Sequence, residues 1–462
     1  MRYPTFLCAL PLLASLAPAQ HTILFISGPS DESTLGLDAP EVDLMRTDEI
    51  YSVTPLPGAA YTARPFLPIS LQYHYAGDLD NDGIYVEDDV EGPVDTLDAV
   101  FVKAGTVGPV GPRDVFFSFA STSTINIPGL RVSDVVRYSG QGSVEFFLTQ
   151  VQLNDACGYA ASSNTVNLDA LCQSAAGDLF FSQSGINTIN GIATDDGDVL
   201  VIPTAAITYD MNGNVLAIAP GSATRIASQA DLIAYALASG HKTSVGGVVT
   251  TSFELSGLEI DPNGGTWVSP IDSLTYPNLL FCWSDFSNDG ALISTAGGGT
   301  IATINGVSIG STVATLGDQL GMLPDSTGIN GPNGFALIPL QEPRFELLNW
   351  PRNQHAASAV WTQFQLQASG GTPGGITILA WSVESSAPGG TFPSIGPVPG
   401  FLGDFGISSA NLFGAYINDA LGNCSSQIFD IEMSAVHGVN LACQALDFGT
   451  FALSTPSAQT FL

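Results

Sequence analysis

Apolar residues in this chain fall in short runs broken by Gly, Pro, Asn and Asp, a spacing that predicts strands joined by tight turns. The clearest runs recur. Phe116-Phe117-Ser118 returns as Phe180-Phe181-Ser182, Thr124-Ile125-Asn126 as Thr188-Ile189-Asn190, and Asp134-Val135 as Asp198-Val199, each 64 residues on (180 − 116, 188 − 124, 198 − 134). Leu97-Asp98-Ala99 and Leu168-Asp169-Ala170 lead into the two copies. The run 21–27 with Ile50-Tyr51 reads as a third, diverged copy, and 258–269 as a fourth in which Asp261-Pro262-Asn263-Gly264 turns a hairpin. A strand unit repeated in this way cannot bury its apolar faces alone. The fold class expected is therefore all-β: a β-propeller-like repeat domain over 20–340, followed by a β-sandwich domain over 341–462.

Further runs at 279–284 and 291–294 continue the pattern, and 328–340 reads as a last strand that would complete the first sheet and leave no open edge. Four to six blades fit this length, and a pair of irregular β-sandwiches is the other arrangement considered. The segment 143–151 reads as apolar strand, and 227–239 as the one helix of this half. In the remainder, strand-like runs at 360–368, 376–383, 412–417, 427–433, 441–447 and 450–454 suit a sandwich.

Charge narrows the partners. Of 462 residues 12% are charged, with 43 acids against 11 bases for a net charge of −32, and lysine occurs only at Lys103 and Lys242. Such a surface repels phosphate backbones and anionic lipid, which argues against nucleic acid as a partner. The start, with Arg2, an apolar run over 6–16 and Ala17-Pro18-Ala19, reads as a cleavable secretory signal peptide over 1–19. Secretion or a periplasmic or cell-surface location is expected, without membrane insertion. In an oxidising compartment Cys157 with Cys172 and Cys424 with Cys443 are the candidate disulfides, leaving Cys282.

One stretch has metal-binding chemistry. Asp78-Leu79-Asp80-Asn81-Asp82-Gly83 places carboxylates at alternate positions of a turn with glycine at the sixth, and Asp89 stands at the twelfth. Alternate side chains converge on a hard cation, and glycine permits the sharp bend. Asp78, Asp80, Asp82 and Asp89 are the expected ligands of a structural calcium ion in a loop over 78–89. A second acidic turn at 285–290 lacks an acid at its twelfth position and reads as a hairpin turn.

In the tail, Gly370-Gly371-Thr372-Pro373-Gly374, Asp419-Ala420-Leu421-Gly422-Asn423, Cys443-Gln444-Ala445-Leu446-Asp447 and Ala452-Leu453-Ser454 resemble the carboxy-terminal β domain of many secreted planctomycete proteins. The Leu-Asp-Ala, Phe-Phe-Ser and Asp-Val phrases are similar to propeller-like regions of exported bacterial proteins of unassigned function. The resemblance implies an exported β protein and brings no catalytic residues with it.

Other chemistry is weak in the sequence. Gly306-Val307-Ser308-Ile309-Gly310 has the serine-hydrolase elbow pattern, but no strand–helix alternation surrounds it. His21, His74, His241, His355 and His437 are scattered. Asp195, Asp196 and Asp198 could act as general acids or bases, with loop solvation the default. Trp267 and Trp283 suit core packing better than sugar stacking. The expected function is an exported, calcium-stabilised binding or surface-associated protein whose partner is an extracellular polymer or surface protein. A propeller hydrolase or lyase acting on such a polymer, for example a polysaccharide, is the alternative.

Overall fold

The structure is a computed structural model. It describes residues 21–26, 50–55, 64–66, 97–103, 114–120, 129–140, 143–159, 165–185, 187–241, 254–284, 291–311, 316–320 and 332–339. In the tail it describes 346–350, 361–369, 371–384, 411–418, 424–426, 429–432, 440–454 and 457–460, with isolated short pieces elsewhere. The expected signal peptide and the acidic loop with Asp78, Asp80, Asp82 and Asp89 lie outside the described residues, as do His74, His355 and His437.

The fold is mostly β. Four four-stranded antiparallel sheets follow one another along 21–339. The first sheet is ordered Gly334–Pro339, His21–Ile26, Ile50–Val53, Arg64–Pro65, so strands from the two ends of this region pair over six residues, from His21 with Pro339 to Ile26 with Gly334. The second sheet is Leu97–Val102, Val115–Phe119, Val135–Gly140, Ser143–Leu148. The third is Leu168–Gln173, Leu179–Gln183, Val199–Ile202, Thr224–Ala227. The fourth is Glu254–Ile260, Leu279–Ser284, Ile293–Ser294, Thr300–Ile301.

The repeated Phe-Phe phrase is explained by burial on both faces of each sheet. Successive strand residues point to opposite faces. Phe117 packs with Leu24, Ile26, Ala336 and Ile338 of the first sheet, while Phe116 joins a separate core with Phe180 and Phe181 of the third. His21–Ile26 behaves the same way: Ile23 and Phe25 pack with Leu280 of the fourth sheet and Leu292 just before its third strand, Leu24 and Ile26 with Val100 and Val136 of the second. A strand covered on both faces needs no polar alternation, hence the continuous apolar runs.

The first strand in each sheet's order, its leading strand, packs against the leading strands of its neighbours. Leu97–Val102 lies against Leu168–Gln173, that against Glu254–Ile260, that against Gly334–Pro339, and that in turn against Leu97–Val102. Two glycines permit this approach. A Cβ on Gly334 would stand 2.9 Å from the Asp98 carbonyl oxygen, and one on Gly257 would stand 2.5 Å from the Phe335 ring and 2.7 Å from Cys282 Sγ.

Each of two sheets is followed by a helix started in the same way. Thr149 and Gln152 form a capping box on Gln150–Ala156, and Ser228 and Asp231 form one on Gln229–Ala238. The repeated aspartates complete these starts: Asp134 Oδ1 accepts the Gln150 N–H at 2.6 Å, and Asp198 Oδ1 accepts the Gln229 N–H at 2.8 Å. The interval lengthens from 16 residues (150 − 134) to 31 (229 − 198) because the second copy inserts the hairpin Ile207–Tyr209 with Val215–Ile218. Its turn docks on the second sheet, where Lys103 Nζ donates to the Gly213 carbonyl at 2.9 Å and sits 5.2 and 5.1 Å from the Phe116 and Phe147 ring centres.

Three local expectations are corrected. The apolar stretch 143–151 is a strand only as far as Leu148, since the capping box at Thr149 turns the chain into helix. The turn at Asp261–Gly264 does not join a two-strand hairpin. Glu254–Ile260 pairs instead with Leu279–Ser284, and Thr266–Val268 pairs with Thr275–Pro277 as an inserted ribbon. Five cysteines, Cys157, Cys172, Cys282, Cys424 and Cys443, are buried thiols, so neither Cys157 with Cys172 nor Cys424 with Cys443 forms a disulfide.

The described residues of the tail form two larger sheets and the two-stranded ribbon Gly396–Pro397 with Asp404–Phe405. Trp361–Ser369 is the centre of one, and Ile376–Glu384 with Asn440–Asp447 the centre of the other. Leu366, Ala368, Leu379, Cys424, Cys443 and Ala445 form a common small core. Asp447 ties the Gly-Thr-Pro turn to the sheet: Thr372 Oγ1 donates to it at 2.7 Å and Thr450 Oγ1 at 2.6 Å.

Candidate functional site

The leading strands of three sheets share one irregularity near their starts. In the second sheet the register shifts between Leu97 and Val100, in the third Leu168 and Ala170 pair with the consecutive residues Gln183 and Ser182, and in the fourth Leu255 and Gly257 pair with Trp283 and Cys282. The extra residues are Asp98 with Ala99, Asp169 and Ser256. A bulge of this kind kinks the strand and re-aims a side chain. Here it occurs at equivalent places in successive sheets and twice carries the aspartate of the Leu-Asp-Ala phrase.

Neighbouring serines support the bulges. Ser118 Oγ accepts the Ala99 N–H at 3.0 Å, Ser182 Oγ donates to the Leu255 carbonyl at 3.2 Å, and Ser256 Oγ lies 3.5 Å from Cys282 Sγ. This is the role of the serine in Phe-Phe-Ser: it holds the bulge of its own sheet or ties it to the next. The loop containing Asp196 joins the same region, its carbonyl accepting the Leu255 N–H at 3.4 Å.

Four carboxylates meet there. Burial, then the Glu254 charge, raises Asp98, although Asp98 and Glu254 belong to sheets that are not consecutive in the chain. Burial, then the charges of Asp98, Glu254 and Asp196, pushes Asp169 well above the ordinary aspartate range. Asp169 is 4% exposed, Asp98 and Asp196 are half-buried, and Glu254 is exposed. Asp98 Oδ2, Asp169 Oδ2 and Asp196 Oδ1 are each sealed from solvent without a hydrogen-bond partner among the described residues. The charges acting on Asp98 and Asp169 from the described residues are all carboxylates.

A fifth acid has a different setting. Glu259 is 3% exposed, accepts the Ile260 N–H at 2.7 Å and the Leu337 N–H at 3.3 Å, and is pushed up by burial to about 8. It links the fourth leading strand to Gly334–Pro339, the closing strand of the first sheet, and its satisfied oxygens make it a structural acid.

The other sequence candidates fall elsewhere. Ser308 of the elbow-like pattern is exposed on the hairpin Thr303–Ile304 with Val307–Ser308, remote from any strand-to-helix turn. Trp283 is core, and Trp267 is buried with its Nε1 donating to the Tyr235 hydroxyl at 3.1 Å. Asp198 is consumed by the helix start and by Arg225, whose Nη1 lies 3.0 Å away. Asp196, by contrast, belongs to the carboxylate group. His21 is lowered by burial, partly offset by Asp261, and His241 is lowered by burial.

Among the described residues no three His, Cys, Asp or Glu side chains stand in a grouping that would hold a metal ion, and no helix is long and apolar enough to cross a membrane. No family model matches the chain, and no curated protein matches it in sequence.

Proposed function

We propose that the chain is an exported binding protein in which 20–340 form a four-bladed β-propeller and 341–462 a β-sandwich, with calcium at Asp78, Asp80, Asp82 and Asp89 stabilising the first of these. The observation that carries the propeller reading is the cyclic packing of four leading strands, with His21–Ile26 completed by Gly334–Pro339. The leader sequence and the resemblance of the tail to secreted planctomycete proteins support export. The ligand-binding end is the carboxylate end of the ring, and the ligand is an extracellular polymer or surface protein. Acid catalysis on the same polymer is the second reading, favoured by the raised Asp98 and Asp169. Binding without turnover is preferred because no base or cation from the described residues acts on those two acids.

Incubation of the mature protein with immobilised extracellular polysaccharides tests both readings. Retention with no release of reducing or unsaturated ends supports binding. Release that grows with time and disappears in Asp169→Asn would establish the enzyme instead.

A further inference from the structure

We propose that the carboxylate end of the ring takes a cation bearing N–H donors, an ammonium or guanidinium group carried by the ligand. This rests on the binding reading above and specifies the chemistry it selects.

The cluster is built by the fold. Two equivalent bulges deliver Asp98 and Asp169 to one end of the leading strands, a third distorts the start of the strand bearing Glu254, and a main-chain bond to Leu255 fixes Asp196 beside them. Three oxygens in the group, on Asp98, Asp169 and Asp196, are sealed without a partner among the described residues, and Asp169 is 4% exposed. An acceptor buried without a donor carries an uncompensated desolvation cost, and crowding like charges adds to it. A cationic donor removes both costs together.

Exposure supplies the direction of entry, from exposed Glu254 past half-buried Asp98 and Asp196 to nearly sealed Asp169. The unpartnered acceptors supply the kind of cation, one that brings N–H donors. No three of these acids are grouped to grip one metal ion, whereas an ammonium has three diverging donors and a guanidinium five, each reaching about 2.8 Å. Such a cation can satisfy carboxylates that stand further apart than a metal's ligands do.

Calorimetric titration of the mature full chain with n-butylammonium and n-butylguanidinium at fixed ionic strength tests this, with tetramethylammonium and calcium as comparisons. Saturable one-to-one binding of at least one N–H cation is expected, with tetramethylammonium bound at least about tenfold more weakly, since a charge-assisted hydrogen bond is worth about 1.5–3 kcal/mol. Asp98→Asn and Asp169→Asn should each weaken binding about tenfold. The exposed Glu254→Gln, which leaves the core untouched, should weaken it several-fold with an unchanged circular dichroism spectrum.

Equal binding of tetramethylammonium, calcium binding that Asp169→Asn abolishes, or no saturable binding would each overturn the proposal. So would stabilisation by Asp98→Asn without any effect on binding, the mark of carboxylates that merely share a proton. Polymer retention that survives all of these would leave the binding reading standing while this one fails.

Discussion

Glu259 reaches from the leading strand of the fourth sheet to accept the backbone N–H of Leu337 in the closing strand, 3.3 Å away. A buried acid thus spans the junction where the ends of the ring meet. Burial raises it from the ordinary 4.5 to about 8. The folded-state value lies above the unfolded one, so its contribution to stability is full below 4.5 and is lost as pH rises toward about 8. At about 1.4 kcal/mol per unit, the loss is on the order of 5 kcal/mol. Asp98 and Asp169, raised in the same direction, add to the fall. Urea unfolding at about pH 5 and about pH 8.5 should show stability declining with pH, and Glu259→Gln should make that decline clearly shallower. An identical decline in the variant would refute this role for Glu259.

The close approach of leading strands makes a steric prediction. Gly257 has no room for a side chain, since its Cβ would fall 2.5 and 2.8 Å from two ring atoms of Phe335. Gly257→Val should cost about 3 kcal/mol or more, because overpacking a filled core forces neighbouring backbone to shift. The unfolding midpoint reports it. A variant within about 0.5 kcal/mol of wild type would mean that the fourth and first sheets do not meet here.

Asp198 should behave as a structural acid despite its place beside Asp195 and Asp196. It is 1% exposed, accepts the Gln229 N–H and pairs with Arg225. Asp198→Ala leaves the Gln229 N–H without its acceptor and removes the carboxylate partner of Arg225, which keeps only the Ala193 carbonyl, and should cost about 2 kcal/mol. Its expected effect on ligand binding is small, in contrast to Asp169→Asn. Calorimetry on both variants separates the roles.

Much of this architecture was legible in the sequence, for physical reasons. Sheets buried on both faces produce continuous apolar runs, and the Phe-Phe-Ser echo marks strands that occupy the same place in successive sheets. The site was less legible. Leu-Asp-Ala was visible as a phrase, but the bulge at Asp98 and Asp169 depends on pairing with distant strands, which a local reading cannot supply. The helix Gln150–Ala156 had a local signal, the Thr149 and Gln152 capping pair, masked by the apolar residues of Ser143–Leu148 just before it. The acids of the ring were hidden by abundance, since 43 acidic residues give no reason to single out four.

The calcium proposed for the loop 78–89 would give a ligand-linked stability. At free calcium about a hundredfold above its dissociation constant, binding to the folded state alone contributes about 2.7 kcal/mol. Chelator should lower the thermal midpoint, and Asp80→Ala with Asp82→Ala should remove the response. A midpoint indifferent to chelator would sink the calcium assignment.

The ring itself is tested most directly by hydrogen–deuterium exchange on the full mature chain carrying Ala336→Pro. Ala336 is fully buried and pairs with Leu24. Proline cannot donate to the ladder that joins Gly334–Pro339 to His21–Ile26, and its ring crowds a fully buried position. Peptides covering His21–Ile26, strongly protected in the wild type, are expected to exchange faster in the variant, together with the leading strand Leu97–Val102. Unchanged protection of His21–Ile26 would show that the two ends of the region do not close on each other.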